Sequence, residues 1–257
     1  MKILRFSNKN SVKYGVLEED SIVREISGSI YEHFELTDNI YNLGEVILLA
    51  PCVPSKVICV GLNYQAHIEE FNRNRSGLPE EPVLFMKPST SVTGPGTDII
   101  YPAMSSQVDY EAELAVVIGK KARDVSPGDV SGIILGYTCA NDVTARDLQR
   151  KDGQWTRAKG FDTFVPLGPW METELDVSDL GISLYLNGEL KQDSTTRSMI
   201  FPVDRLVSFI SQIMTLLPGD VVLTGTPEGV GPLKVGDTVK VVVEGIGDLT
   251  NNVSKSR

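Results

Sequence analysis

Val108-Asp109-Tyr110-Glu111-Ala112-Glu113-Leu114-Ala115-Val116-Val117-Ile118 sets a carboxylate at every second position and then runs on apolar. In an extended chain alternate side chains share a face. The spacing therefore predicts one long strand over 108–118. Asp109, Glu111 and Glu113 lie on one side, neighbours roughly 6.5–7 Å apart. Tyr110, Ala112, Leu114, Val116 and Ile118 lie on the other. The apolar continuation implies that the acidic face is partly buried, and unpaired buried charge is costly. Two arrangements relieve that cost. A divalent cation takes hard carboxylate ligands, as Mg²⁺ and Mn²⁺ prefer. Alternatively the face is a solvated edge with salt bridges to Lys or Arg. Zinc does not fit, because no Cys/His cluster accompanies the site.

A third acidic ligand is available in Asp142, which follows the apolar run 133–140. A lone Asp there is also a natural helix N-cap. Thr144-Ala145-Arg146-Asp147 fits a capping box, which assigns the cap to Thr144 and leaves Asp142 free to point elsewhere. A short helix is predicted over 142–151. Further out, Asn63 is placed to cap a helix over 64–72, and 72–82 reads as an exposed loop rich in Gly and Pro. Asn187-Gly188 between two apolar runs is a hairpin signal. Apolar residues at helical spacing over 202–217 predict an amphipathic helix. Strands dominate, helices are few, and no regular βαβ alternation appears. The fold class expected is therefore α+β and β-rich rather than a doubly wound parallel sheet. Short strands at 2–6, 13–17 and 21–25, closed by Pro51 and Pro54, mark a small N-terminal β-rich domain over 1–54, with the main domain over 55–257.

The composition narrows the function. Apolar residues make up 41% and charged residues 23%, enough to build a core without disulfides. The net charge of −10 and the lack of any Lys/Arg cluster argue against nucleic-acid binding. No run approaches 18 apolar residues, and the N-terminus has no secretory h-region, so no membrane partner and a cytoplasmic location are expected. Cys52, Cys59 and Cys139 are odd in number and form no CxxC pair, which suits buried free thiols in a reducing compartment.

Of the two histidines, His67 has a partner pattern. Glu70 is three residues on, hence on the same helix face. A carboxylate beside imidazole orients it as a general base, although such pairs are also common on plain surfaces. Lys159 sits in Trp155-Thr156-Arg157-Ala158-Lys159-Gly160-Phe161-Asp162, where a lysine before glycine is placed to stabilise a developing enolate or is simply a loop lysine. Gly225-Thr226-Pro227-Glu228-Gly229-Val230-Gly231 is not GxGxxG and does not indicate a dinucleotide site.

Six segments, in order along residues 57–253, together resemble the fumarylacetoacetate hydrolase family, in particular its acylpyruvase and 2-hydroxyhepta-2,4-diene-1,7-dioate isomerase-like members. They are Val60-Gly61-Leu62-Asn63-Tyr64-Gln65-Ala66-His67, Leu84-Phe85-Met86-Lys87-Pro88-Ser89, Asp109-Tyr110-Glu111-Ala112-Glu113-Leu114, Asn141-Asp142-Val143-Thr144-Ala145-Arg146-Asp147, Ala158-Lys159-Gly160-Phe161-Asp162 and Leu223-Thr224-Gly225-Thr226-Pro227. The resemblance implies a mixed β-roll catalytic domain, a small N-terminal domain and a homodimer. It implies Glu111, Glu113 and Asp142 as ligands of Mg²⁺, with Mn²⁺ or Ca²⁺ as alternatives. His67 and Glu70 match a water-activating dyad, and Lys159 matches an enolate-stabilising lysine. Arg146, Gln149 and Thr226 match substrate contacts, and Lys87, close to the metal shell, is grouped with them. The substrate implied is a small 2-oxo (β-dicarbonyl) acid handled through an enolate. The first expectation is C–C hydrolysis of an acylpyruvate. Isomerisation of a 2-hydroxy-diene dioate, or tautomerisation or decarboxylation of oxaloacetate, is the alternative at the same site, and a non-enzymatic metal-binding module comes last. Leu62 stands where some hydrolytic and decarboxylating relatives carry Arg.

Overall fold

The computed structural model describes residues 1–9, 11–71 and 77–255. The first part of the loop expected at 72–82, residues 72–76, lies outside the described residues. In chain order the elements are β1 (Lys2–Asn8), β2 (Ser11–Glu18), β3 (Ile22–Gly28), β4 (Phe34–Asn42), β5 (Ile47–Leu49), β6 (Val57–Gly61), α1 (Gln65–Phe71), β7 (Val83–Lys87), β8 (Val92–Thr93), β9 (Ile99–Tyr101), β10 (Val108–Tyr110), β11 (Ala112–Ile118), β12 (Ile134–Asn141), β13 (Thr144–Ala145), α2 (Arg146–Asp152), α3 (Thr156–Lys159), β14 (Val165–Glu172), β15 (Gly181–Leu186), β16 (Glu189–Thr195), α4 (Val203–Ile213), β17 (Val221–Leu223), β18 (Gly231–Pro232), β19 (Thr238–Val243) and β20 (Gly247–Lys255). This is the β-rich mixed architecture expected of the sequence.

One large sheet runs β4-β3-β2-β1-β14-β12-β11-β17-β6-β7, with β5 against β1 and β8 against β14. Smaller sheets run β13-β10-β18 and β16-β15-β19-β20-β9. Pairing is antiparallel except at β17–β6, β14–β8 and β20–β9. The N-terminal strands join the large sheet directly, because β1 hydrogen-bonds to β14. β4 has no counterpart in the sequence-based expectation. Its run Phe34-Glu-Leu-Thr-Asp-Asn-Ile-Tyr-Asn is polar and partly exposed, and pairing with β3 is what makes it a strand.

β11 lies deep in this sheet and is buried on both faces. Leu114, Val116 and Ile118 pack into one core with α4, and Ala115 and Val117 into a second with Cys59 and Leu167. The alternation expected of 108–118 therefore holds, but the strand is not continuous. At Glu111 the chain changes sheet: β10 pairs with β13 and β18, β11 with β12 and β17. The Glu111 N–H donates to Asn141 Oδ1, a side chain, instead of to a strand partner. This break separates Asp109 from the other two carboxylates.

Two caps also differ from expectation. α2 begins at Arg146, and Thr144 lies in β13, its hydroxyl 3.1 Å from Glu111 Oε1 and 2.9 Å from the Asp142 carbonyl. The hydroxyl braces the carboxylate site and caps nothing. Asn63 does not cap α1 either. Its Oδ1 accepts from Phe201 N–H and its Nδ2 donates to the carbonyls of Phe201 and Thr224, pinning the start of α1 to two distant segments. Asn187 and Gly188 both have positive φ, 53° and 84°, as a tight hairpin turn between β15 and β16 requires. α4 fills the predicted helical stretch but stops at Ile213, where Met214 turns extended and Leu216 pairs with Ala122.

Asp147, in the first turn of α2, fastens the segment before β10. Its carboxylate accepts from Ser105 Oγ at 2.7 Å and from Ser106 N–H at 2.9 Å and Oγ at 3.0 Å. Burial alone raises its pKa, but these donors outweigh it and hold the group down at about 2. A depressed carboxyl stabilises the fold above its unfolded value and loses that contribution as pH falls toward 2. Asp147→Asn should thus cost about 1 kcal/mol at neutral pH. The deficit should shrink in chemical denaturation series taken toward pH 2, and a deficit independent of pH would contradict the arrangement.

Cys52, Cys59 and Cys139 are free and buried, as expected. Burial pushes the Cys52 and Cys139 thiols up to about 12 and Cys59 well above its usual value. A disulfide-exchange reagent at pH 8 should titrate no thiol in the native protein and all three in denaturant. Rapid native labelling would place at least one cysteine at the surface.

Candidate metal centre

The break at Glu111 and the end of β12 converge. Ala112 is in register with Asn141 and Glu113 with Ala140, so Glu111, Glu113 and Asp142 meet where the two strands finish. Their carboxylate oxygens lie within 4.8 Å of one another, and all three residues are buried. Of the alternative reading, the solvated edge is removed, while its salt bridges to Lys and Arg are present. Asp109 stands apart and holds Arg146.

Cations surround the triad unevenly. Lys159, at the end of α3, places Nζ 2.8 Å from Glu111 Oε2 and 2.7 Å from Asp142 Oδ2. Lys87, at the end of β7, donates to Asp142 Oδ1 at 2.5 Å and to the carbonyls of Val143 and Phe164. Arg146 donates from Nε to Asp109 Oδ2 at 2.9 Å, from Nη2 to Glu111 Oε1 and from Nη1 to Gln149 Oε1 at 2.8 Å. Glu113 accepts from the Gly225 N–H at 2.7 Å and, among the described residues, forms no ion pair. Gly225 has a φ of +98°, and a Cβ there would come 2.8 Å from Asn63 Cβ, so glycine permits this approach.

The titration directions follow. Burial, then the Asp142 and Glu111 charges, pushes Glu113 well above the usual carboxylate range. Burial also acts to raise Glu111, but Lys159 and Arg146 overcome it and hold Glu111 below that range. Burial opposes the charge on Lys159, yet Asp142 and Glu111 outweigh it and raise the ammonium to about 12. For Lys87 burial wins, and the value is lowered. His67 is pushed down to about 4, mainly by burial, so its imidazole is neutral near pH 7.

A cavity of about 380 Å³ opens onto this cluster. All the sequence-predicted site residues line it except Glu70 and Lys87. Lys87 has no exposed side-chain surface and sits behind Asp142, which corrects its assignment as a substrate contact. Glu70 shares a face of α1 with His67, but its Oε2 lies 3.8 Å from His67 Nδ1 and accepts instead from Gly229 N–H at 3.0 Å. The pair is adjacent without being a hydrogen-bonded dyad. Thr226 receives Nε2 of Gln192, a residue absent from the predicted set, whose Oε1 also accepts from Ala112 N–H. Phe85 and Trp155, also absent from that set, stand edge to face at 5.1 Å, with Lys159 Nζ 5.0 Å from the Phe85 ring centroid. The Lys159 spacing of four from Trp155 on one helical turn was the available signal for this wall. Gly61 makes room for it, since a Cβ there would come 2.9 Å from the indole.

Residues 56–254 match the family described as Fumarylacetoacetate (FAA) hydrolase C-terminal. The chain belongs to the fumarylacetoacetate hydrolase family. Residues 1–51 match a second description, Rv2993c-like, N-terminal. Among curated relatives, Protein Rv2993c of Mycobacterium tuberculosis is 48% identical over 262 residues, 98% of each chain. The mitochondrial oxaloacetate tautomerase Fahd2a of Rattus norvegicus is 46% identical over 81% of this chain and 70% of its own. Among solved structures, 5-carboxymethyl-2-hydroxymuconate delta-isomerase from Mycobacterium smegmatis superposes with a TM-score of 0.93 at 47% identity, covering 100% of both chains. Maleylpyruvate hydrolase from Sphingobium sp. SYK-6, crystallised with manganese(II) and pyruvate, gives 0.82 at 27% identity, again covering 100% of both. The family thus contains isomerases, tautomerases and hydrolases.

Asp109, Glu111, Glu113 and Asp142 bring four negative charges, and Arg146, Lys159 and Lys87 bring three positive ones. With every carboxylate ionised, one negative charge is left over at Glu113, where burial and the neighbouring carboxylates disfavour it, and a divalent cation would offset it. Calorimetric titration with Mn²⁺ should show one site per chain and a melting temperature that rises with metal concentration. Glu113→Gln should weaken the site at least about tenfold, roughly 1.4 kcal/mol. Undiminished Mn²⁺ affinity in that variant would place the ion elsewhere.

Proposed function

We propose that this chain is a divalent-metal-dependent enzyme that moves a proton on a small 2-oxo carboxylic acid, by keto–enol tautomerisation or double-bond isomerisation. C–C hydrolysis of an acylpyruvate, the first expectation from sequence, becomes the second outcome at the same site. The observation that carries the proposal is the buried triad with its excess negative charge, opening into the same cavity as a charged lysine and a neutral imidazole. The order of the two outcomes is supported by the 3.8 Å gap between Glu70 and His67, and by isomerase and tautomerase names at 46–47% identity against hydrolase names at 38% and 27%.

Glu111, Glu113 and Asp142 would hold the ion, their hard oxygens suiting Mg²⁺ or Mn²⁺, with Ca²⁺ an alternative. When bound, such an ion supplies Lewis-acid polarisation of a carbonyl oxygen. The rest falls to the chain. Lys159 Nζ, kept protonated, donates a hydrogen bond to the substrate oxygen as it becomes negative. The neutral His67 ring accepts a proton from the carbon beside the keto group and returns it to the enolate at oxygen or at a different carbon. Arg146, Gln149 and Thr226 orient the acid, and Phe85 with Trp155 keeps bulk water away. Hydrolysis needs more: Glu70, 3.8 Å from His67 Nδ1, must close to hydrogen-bond distance before the imidazole can hold a water for attack. A homodimer in a reducing cytoplasm, and a division of the chain at 54/55, complete the proposal by family likeness.

The test is a panel of oxaloacetate, acetylpyruvate and a hydroxy-diene dioate, each assayed with Mn²⁺ and after chelation. Proton transfer should dominate, and His67→Ala should lower its kcat by about 10²-fold, the usual contribution of a positioned base. Unchanged turnover in metal-stripped protein would defeat the metal requirement. Cleavage of acetylpyruvate faster than tautomerisation of oxaloacetate would promote the hydrolytic outcome.

A further inference from the structure

α2 carries two arginines four residues apart, on one face and about 6 Å apart along the axis. Both line the cavity, as does Lys159. Lys159 and Arg146 are bonded to the buried carboxylates. Arg150 differs: its Nη2 donates to Gln107 Oε1 at 2.9 Å, a neutral partner, and among the described residues no carboxylate stands within ion-pair distance. Gln107 is itself fixed. Its Nε2 donates to Asp109 Oδ1 at 3.1 Å, and its carbonyl accepts from Arg146 N–H at 2.8 Å. Asp109 therefore positions both guanidinium groups, Arg146 directly and Arg150 through Gln107.

Charge counting says what such a group is for. With all four carboxylates ionised, as a bound divalent ion would favour, the cluster's three cations leave −1. A divalent ion takes this to +1, and the carboxylate of a 2-oxo acid brings it to zero. A second carboxylate on the substrate would enter the cavity uncompensated unless a further cation met it, and Arg150 is the remaining cation on the lining. The same cavity lining includes Leu62, Phe85 and Trp155, apolar surface that suits a carbon chain.

We propose that Arg150 binds a second carboxylate of the substrate and so makes the site selective for 2-oxo dicarboxylic acids over 2-oxo monocarboxylic acids. This rests on the proposed handling of a 2-oxo acid at the triad. The bland alternative is an exposed arginine in the last turn of a helix, where a positive charge favours the dipole.

Length-matched pairs isolate the second carboxylate: 2-oxoglutarate against 2-oxopentanoate, and 2-oxoadipate against 2-oxohexanoate. Dissociation constants are measured by calorimetry on the full chain with Mn²⁺ present. In at least one pair the diacid should bind about tenfold tighter or more, the order expected of a charge-assisted hydrogen bond. That ratio should fall to about one in Arg150→Gln and be largely retained in Arg150→Lys. A ratio near one in the wild-type chain, or the same ratio in Arg150→Gln, overturns the proposal alone. If Mn²⁺ binds but no 2-oxo acid does, the 2-oxo acid proposal itself fails and takes this one with it.

Discussion

A buried carboxyl group that the chain's own cations leave unpaired governs this structure. Charge in a core is tolerated when it is paired, and breaking a buried pair costs several kcal/mol. Asp109, Glu111 and Asp142 are paired with Arg146, Lys159 and Lys87, whereas Glu113, among the described residues, has only a backbone amide. The fold keeps Glu113 where it is by surrounding β11 with apolar side chains on both faces, so the strand has no freedom to turn its acidic end outward. Stability of the sheet and strain at the site are thus the same fact viewed from the two ends of β11.

The switch of sheets at Glu111 converts that constraint into geometry. Had 108–118 been one straight strand, Asp109, Glu111 and Glu113 would form a row spaced too widely to share one ion. The break turns Asp109 toward Arg146 and lets Asp142 take its place beside Glu111 and Glu113. Asn141 enforces the break, since its side chain takes the Glu111 N–H that a neighbouring strand would otherwise receive. Thr144 and Lys159 then fix the rotamers of Glu111 and Asp142 from either side. A metal site at the triad would need its ligands held by neighbours, and β13 and α3 supply them.

Local patterns were legible where the physics is local. Period-two alternation located β11 and its two faces, Asn187-Gly188 located the hairpin, and three-four spacing located α4. The carboxylates stand out by their spacing beside an apolar run, whereas His67 is singled out by Glu70 three residues on and Lys159 by its place before Gly160, and only the family resemblance gives them roles. Residues that act through distant partners were not legible. Asn63 looks like a helix cap in sequence, but its real partners, Phe201 and Thr224, are 138 and 161 residues away. Gln192 reads as a polar residue in a hairpin, and only the packing of β16 beside the 225–228 segment gives it Thr226. Lys87 was grouped with substrate contacts because nothing in a sequence distinguishes a lysine in front of a carboxylate from one behind it. β4 escaped because Asp38 interrupts the alternation of Phe34, Leu36 and Ile40, and its strand character is imposed by β3.

Leu62 ties the selectivity of the site to its chemistry. It lines the cavity with φ at +60°, a left-handed backbone that is unusual for a branched apolar residue and that the flanking β6 and Asn63 must hold in place. Where an arginine stands at this position, it brings a cation to the wall formed by β6. Leucine removes that cation and lengthens the apolar stretch next to Phe85 and Trp155, so the unspent positive charge lies on α2 instead, at Arg150. Under the proposed function, a substrate seated at the triad would meet both apolar side chains and the Arg150 guanidinium on the cavity lining. Such an environment steadies a flat, conjugated carbon chain ending in an anion. It does little to hold a water molecule over the middle of that chain, which is where hydrolysis would require one.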